Sequence, residues 1–333
     1  MKEALYYKTV KGNIQCVLCP RDCIIKENNI GFCGVRKNIK NKLYSLVYAQ
    51  PVSVAIDPIE KKPLYHFLPG SRSFSIGTVG CNLRCKHCQN WEISQAKPGQ
   101  YPSSTLEPEE IVEKAIKNNC KSISYTYNEP TVFYEYALDT AKLAKKRGIK
   151  NVIVSNGFIN EEPLIEWCKY MDAANIDLKG NDSFYRKVTT AWLEPVQNTL
   201  NLLKEKKVWF EITNLIIPTL NDSLRDIEIM CKWIKENLGI SYPLHFTAFY
   251  PCYQLSSLPP APADMLVKAK NIAGKMGFEY AYIGNVLADK DSNTYCQKCR
   301  KLLIERSYFD VYQKNIKNGK CSFCGERIAG IWH

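Results

Sequence analysis

The stretch Gly80-Cys81-Asn82-Leu83-Arg84-Cys85-Lys86-His87-Cys88-Gln89-Asn90 sets three cysteines at C-x3-C-x2-C spacing, with no fourth following at zinc-knuckle distance. Three thiolates on a four-iron, four-sulfur ([4Fe-4S]) cluster leave one iron without a protein ligand. An open iron can bind a substrate or cofactor, which a closed four-cysteine site cannot. The same residues also admit a zinc ion completed by His87 or by a remote side chain.

Eight more of the 15 cysteines fall into two tight groups. Cys16, Cys19, Cys23 and Cys33 run as C-x2-C-x3-C-x9-C, and Cys296, Cys299, Cys321 and Cys324 as two C-x2-C pairs 21 residues apart. The N-terminus is polar and basic, with no apolar core of a signal peptide and no membrane-length apolar run. A cytoplasmic chain without membrane contact is therefore expected, and such clustering means metal ligation rather than disulfides. The C-terminal quartet reads as a zinc ribbon or rubredoxin-like knuckle, with zinc preferred to iron because a structural module needs no redox change. The N-terminal quartet is open between zinc and an auxiliary iron–sulfur cluster, and a module this small is expected to fold only with its metal. Cys120, Cys168 and Cys231 lie on apolar faces and read as core, whereas Cys252, between Pro251 and Tyr253, is placed to face the mouth of a site.

The formal charge of +12 is uneven, with +6 in residues 1–43, +5 in 290–333 and +1 between. Cations near thiolate-rich metal sites favour the thiolate form. The excess beyond that leaves nucleic acid or an acidic protein as a candidate partner.

Those chemical groups need a scaffold. From Ser73 to Asn285, short apolar runs alternate with amphipathic stretches. Strands are expected at Ser73–Gly77, Lys121–Tyr127, Asn151–Ser155, Ala173–Leu178, Val208–Ile217, Leu244–Phe249 and Tyr280–Ile283. Helices are expected at Leu106–Asn119 (capped by Thr105), Val132–Arg147, Pro163–Met171, Val196–Lys206, Leu224–Leu238 and Ala263–Met276. Strands separated by helices of this length give a parallel sheet with right-handed crossovers. Six or seven units fall short of a closed eight-fold barrel, so the expected class is α/β: a partial, open (β/α)6-type parallel barrel with small N- and C-terminal cysteine-rich metal modules. The divisions are a four-cysteine module at 1–43, a bridging segment at 44–72, the barrel at 73–289 and a zinc-ribbon-like module at 290–333. Sites in such sheets lie at the C-terminal ends of the strands.

The cysteine spacing resembles that of the radical S-adenosylmethionine superfamily, with His87 where that family places an aromatic residue. With Gln89-Asn90-Trp91 following, the string looks most like the pyruvate formate-lyase activating enzyme branch. The resemblance implies that S-adenosylmethionine binds the open iron of a [4Fe-4S] cluster on Cys81, Cys85 and Cys88. An electron from an external flavodoxin- or ferredoxin-type donor then cleaves it, giving a 5′-deoxyadenosyl radical that abstracts hydrogen. No general base is needed at that step. By the same resemblance, Asn128 and Glu129 in Tyr125-Thr126-Tyr127-Asn128-Glu129-Pro130 stand where the family contacts the methionine amine. Tyrosines and asparagine replace the family's glycines there, so Glu129 carries over best; alternatively it caps a helix starting near Thr131. Ser155 and Asn156, then Asp177 and Lys179, match positions that hold the ribose and the methionine carboxylate. His245 is either a core histidine or one bordering the site. Trp91, Tyr125, Tyr127 and Phe249 are either a wall against solvent or core.

Over nearly its full length the chain resembles the radical enzyme of the AmmeMemoRadiSam system. The matching segments are Cys19-Pro20, Gly31-Phe32-Cys33-Gly34-Val35-Arg36, Asp57-Pro58-Ile59-Glu60-Lys61-Lys62-Pro63-Leu64-Tyr65-His66-Phe67, Cys88-Gln89-Asn90-Trp91-Glu92 and the terminal module. That family's name implies Memo-like and AMMECR-type partners. Three functions follow: a radical enzyme acting with those partners on an undefined substrate, an activase placing a glycyl radical on a partner, or a non-catalytic zinc-bearing RNA-binding protein.

Overall fold

The computed structural model describes residues 1–286 and 289–333. Its centre is one eight-stranded sheet: β1 (Ser53–Pro58), β2 (Arg72–Gly77), β3 (Ser122–Tyr125), β4 (Lys150–Ser155), β5 (Ala173–Asp177), β6 (Trp209–Ile216), β7 (Leu244–Ala248) and β8 (Ala281–Gly284). The strands are hydrogen-bonded in chain order, and β1 and β8 form two unjoined edges. Strands β2 to β8 are all parallel. Six helices make the six crossovers: α1 (Pro108–Lys117), α2 (Tyr134–Lys146), α3 (Glu161–Cys168), α4 (Glu194–Glu205), α5 (Leu224–Asn237) and α6 (Ala263–Lys275). A strand-by-strand advance with right-handed crossovers puts every helix on one face, and the twist of the sheet curls it into an open barrel. All four residues of β3 are buried, as expected of a strand covered on both faces.

Two expectations shift locally. Helix α1 starts at Pro108 rather than Leu106, capped by Glu107 in a reciprocal box with Glu110. Thr105 instead accepts a hydrogen bond from Gln50 Nε2. The 44–72 segment, expected as a bridge, adds β1 antiparallel to β2 and so covers the sheet edge.

That segment also straps the barrel to its neighbours. Asp57 accepts from Lys61, Lys62 and the Tyr127 hydroxyl, and burial is outweighed by these bonds, which hold its carboxyl below the usual range. Glu60 accepts from Gly70 N–H. The backbone N–H groups of Tyr65 and His66 donate to Glu211, which is fully buried on β6.

The two cysteine modules attach differently. Residues 2–45 form two small three-stranded sheets, and their apolar residues, among them Ile14, Val35 and Leu43, join the same core as the barrel. Arg36 and Glu135 of α2 form an ion pair at 3.0 Å with both side chains 2% exposed; breaking such a pair typically costs about 3–5 kcal/mol. The C-terminal module has its own core, built from Leu303, Ile304, Ile316 and Ile328 around Tyr65, Tyr280 and Tyr282. Leu287 and Ala288, just before the expected boundary at 289/290, lie outside the described residues. Among the described residues no helix is long and apolar enough to cross a membrane.

Candidate functional site

The cysteine loop follows β2, at the C-terminal end of the sheet. Its path begins at Gly80, where φ is +90° and an added Cβ would stand 2.6 Å from the Cys33 carbonyl oxygen. Only glycine fits both demands. The loop is then pinned from several sides. Arg84 and Lys86 N–H donate to Thr189 and Val188 carbonyls, both at 3.0 Å. The Asn128 side chain accepts from Thr78 N–H (3.1 Å) and donates to the Gly80 carbonyl (2.8 Å). Trp91 stacks on Tyr253 at 5.2 Å, tying the loop to the segment after β7. There Cys252 donates its thiol to the His87 carbonyl at 3.2 Å.

The thiols face a polar rim built by three successive strand ends. Glu129, after β3, is 2% exposed. Its Oε1 accepts from Thr131 N–H and hydroxyl and from the Ser155 hydroxyl, and its Oε2 accepts from Asn156 N–H at 2.8 Å. It therefore caps the turn at Pro130–Phe133 and also clamps β3 to β4. Burial raises its pKa, and those donors oppose the rise. Asn156 Nδ2 donates to Asn82 Oδ1 (3.0 Å) and reaches Cys81 Sγ at 3.9 Å. Leu83 N–H points at the same sulfur from 3.4 Å.

After β5, Lys179 Nζ stands 2.6 Å from Asp177 Oδ2. Burial alone would lower its pKa, but the Asp177 carboxylate and the Cys85 thiolate outweigh that and hold it above the usual lysine range. Conversely, burial pushes the Cys85 thiol up to about 12, with Lys179 opposing. Burial drives Cys81 up as well. Metal binding at such thiols displaces protons. Buried His87 packs 5.9 Å from Phe184. Its pKa is lowered to about 3 by burial and by Lys179, and its Nδ1 has no partner among the described protein atoms.

Several expected residues lie elsewhere. The Asn128 side chain is occupied by the loop backbone. His245 is drawn away into a buried network, with Nε2 2.7 Å from Glu211 and its ring packed on Tyr65 and Tyr282. That network continues through His66, Tyr282 and Thr294 to Arg306 of the C-terminal module. Tyr125 and Phe249 are fully buried core. Sequence reasoning did not find Ser94, which meets Cys88 Sγ at 3.2 Å, or the turn at Tyr185–Thr189 that receives the loop. The Gly80-Cys81 pair, a glycine leading into the motif, was the available signal for the tight approach.

The C-terminal quartet is closed. Cys296, Cys299, Cys321 and Cys324 place all four sulfurs within 4.8 Å of one another. The pairs 296/324 and 299/321 are 3.6 and 3.7 Å apart, near the roughly 3.8 Å that tetrahedral bonds of about 2.3 Å require. This group can hold one metal ion.

Residues 75–234 match the model of the radical SAM superfamily. An uncharacterized protein of Methanocaldococcus jannaschii is 47% identical over 331 residues, 98% of this chain and 99% of its own. The chain belongs to the radical SAM superfamily. A pyruvate formate-lyase-activating enzyme of Clostridium pasteurianum is 27% identical over 181 residues, 50% of this chain and 71% of its own. A radical SAM methyltransferase from Sphaerobacter thermophilus shares the fold at TM-score 0.53 and 12% identity, over 67% of this chain and 68% of its own.

Radical SAM membership implies an iron–sulfur cluster and S-adenosylmethionine, and the residues fit both. The Cys81 and Cys85 thiols are partly buried, amide N–H groups of Leu83 and Asn156 point at sulfur, and the orphaned His87 Nδ1 lies in the motif itself. This radical SAM chain is an enzyme of the superfamily whose reaction its fold does not name.

Proposed function

We propose that the chain reductively cleaves S-adenosylmethionine and uses the product for hydrogen abstraction. The observation that carries this reading is the convergence of three strand ends on one cysteine loop. Cys81, Cys85 and Cys88 would hold the cluster. Glu129, Ser155 and Asn156 would receive the amine and ribose, and Lys179, oriented by Asp177, the methionine carboxylate. His87 Nδ1 would accept a donor from the adenine edge. When bound, cluster and cofactor supply one-electron cleavage of a carbon–sulfur bond. The protein's part is to orient the cofactor and to exclude water, with Trp91 and Tyr253 closing the mouth. An external flavodoxin- or ferredoxin-type donor supplies the electron.

The C-terminal quartet is read as zinc, because its geometry is closed and its module anchors Tyr65 and His66 beneath the barrel. The finer assignment, to the AmmeMemoRadiSam enzyme with Memo-like and AMMECR-type partners, is supported by the Asp57–Phe67 segment, each of whose polar residues has a structural task here. A glycyl-radical activase is the second reading, favoured by the likeness to the clostridial activating enzyme, which covers half of this chain. Anaerobic incubation with S-adenosylmethionine and dithionite tests the main reading. We expect 5′-deoxyadenosine from the reconstituted protein and none from Cys85→Ala; equal formation by the variant would overturn the ligand assignment.

A further inference from the structure

Cys16, Cys19, Cys23 and Cys33 line one partly enclosed cavity where the N-terminal module meets the barrel, and Arg36 and Asn82 stand in its wall. Its water-accessible volume is about 20 Å3, more than the roughly 10–15 Å3 that one water needs. A tetrahedral zinc leaves no such space. With bonds of about 2.3 Å, its sulfurs stand too near the centre to admit a water-sized sphere. The C-terminal quartet, with sulfur pairs at 3.6 and 3.7 Å, has that closed form. The N-terminal quartet instead borders, together with Leu18, Ile25, Thr131 and Val132, a hollow of about 20 Å3.

Beside the thiols, two arginines, Arg21 and Arg36, stand in a wall that is otherwise almost wholly apolar. Arg36 is 2% exposed; its Nη atoms pair with Glu135, while its Nε–H has no partner among the described protein atoms. A buried donor left so is unfavourable, and a cluster sulfur would accept it. Arg21 lies on another side, its guanidinium 4.1 Å over Phe32 and its Nε–H donating to the Asn82 carbonyl. An iron–sulfur cube with four thiolates is an anion and is wider than one ion.

We propose that Cys16, Cys19, Cys23 and Cys33 hold a second [4Fe-4S] cluster, fully ligated by protein and set beside the loop of Cys81. The two sites share a wall. Asn82 lines the N-terminal cavity while its Oδ1 lies 4.0 Å from Cys81 Sγ, and the Cys33 carbonyl abuts Gly80. A cluster closed by four cysteines offers no position for a cofactor. Its chemistry is the gain and loss of single electrons next to the motif loop.

The test uses the full chain carrying Cys81→Ala, Cys85→Ala and Cys88→Ala, reconstituted anaerobically with iron and sulfide. We expect about four irons and four sulfides per chain to remain, with the Mössbauer doublet of a [4Fe-4S] cluster, against about eight irons in the wild type. Iron absent from the triple variant, or a second zinc per chain in the wild type, would overturn the assignment. Should the triple variant fail to fold, the wild-type count decides: about eight irons support the second cluster and about four refute it. Four irons retained without any 5′-deoxyadenosine formation would leave this cluster standing independently of the proposed function.

Discussion

Gly80 shows how tightly one residue can constrain the site. With φ at +90° and the Cys33 carbonyl 2.6 Å from a would-be Cβ, any side chain must push the N-terminal module off the cysteine loop. Gly80→Ala should cost more than the roughly 1–2 kcal/mol of a left-handed alanine alone. Urea unfolding measures this, and the variant should also retain less iron after gel filtration; wild-type values in both would refute the steric account. Other single residues were only half legible. Glu129 offered two readings in sequence, cofactor contact or helix cap, and its carboxylate performs the cap while also clamping Ser155 and Asn156. Asn128 looked equally suited to a cofactor, yet it serves Thr78 and Gly80, about 50 residues earlier. Local sequence holds no trace of such a partner.

At the scale of elements, the strap around β1 carries the most consequential unread features. The seven parallel strands and six helices are legible because apolar periodicity changes from 2 to 3.6 at each junction. Strand β1 is not, because Ser53–Pro58 buries one residue in six and ends in proline. Beside it, Glu60 is 1% exposed and burial raises its pKa to about 7, with the Arg306 guanidinium opposing. A carboxyl whose folded pKa lies above its unfolded value stabilises the fold below the unfolded pKa, and that contribution is lost as pH rises through 7. Glu60→Gln should therefore gain on the wild type by about 2 kcal/mol between pH 5 and pH 8. Paired urea titrations at the two pH values check this, and a pH-independent difference would contradict it.

Across the whole molecule, the two cysteine modules differ in how they join the barrel. The C-terminal module has a separate small core around its quartet, so Cys299→Ser should lose about one zinc per chain and make the segment beyond residue 290 susceptible to protease. The barrel should keep its iron; loss of both metals together would mean that the module is not independent. The N-terminal module, legible in sequence as an appendage, is instead continuous with the barrel core, because the merging of apolar faces depends on packing that spacing alone does not encode. The central claim is an open iron on Cys81, Cys85 and Cys88, and Mössbauer spectra of the anaerobic protein with and without S-adenosylmethionine test it most directly. The account predicts that the signal of one iron per chain shifts when the cofactor is added; spectra unchanged by the cofactor would contradict it.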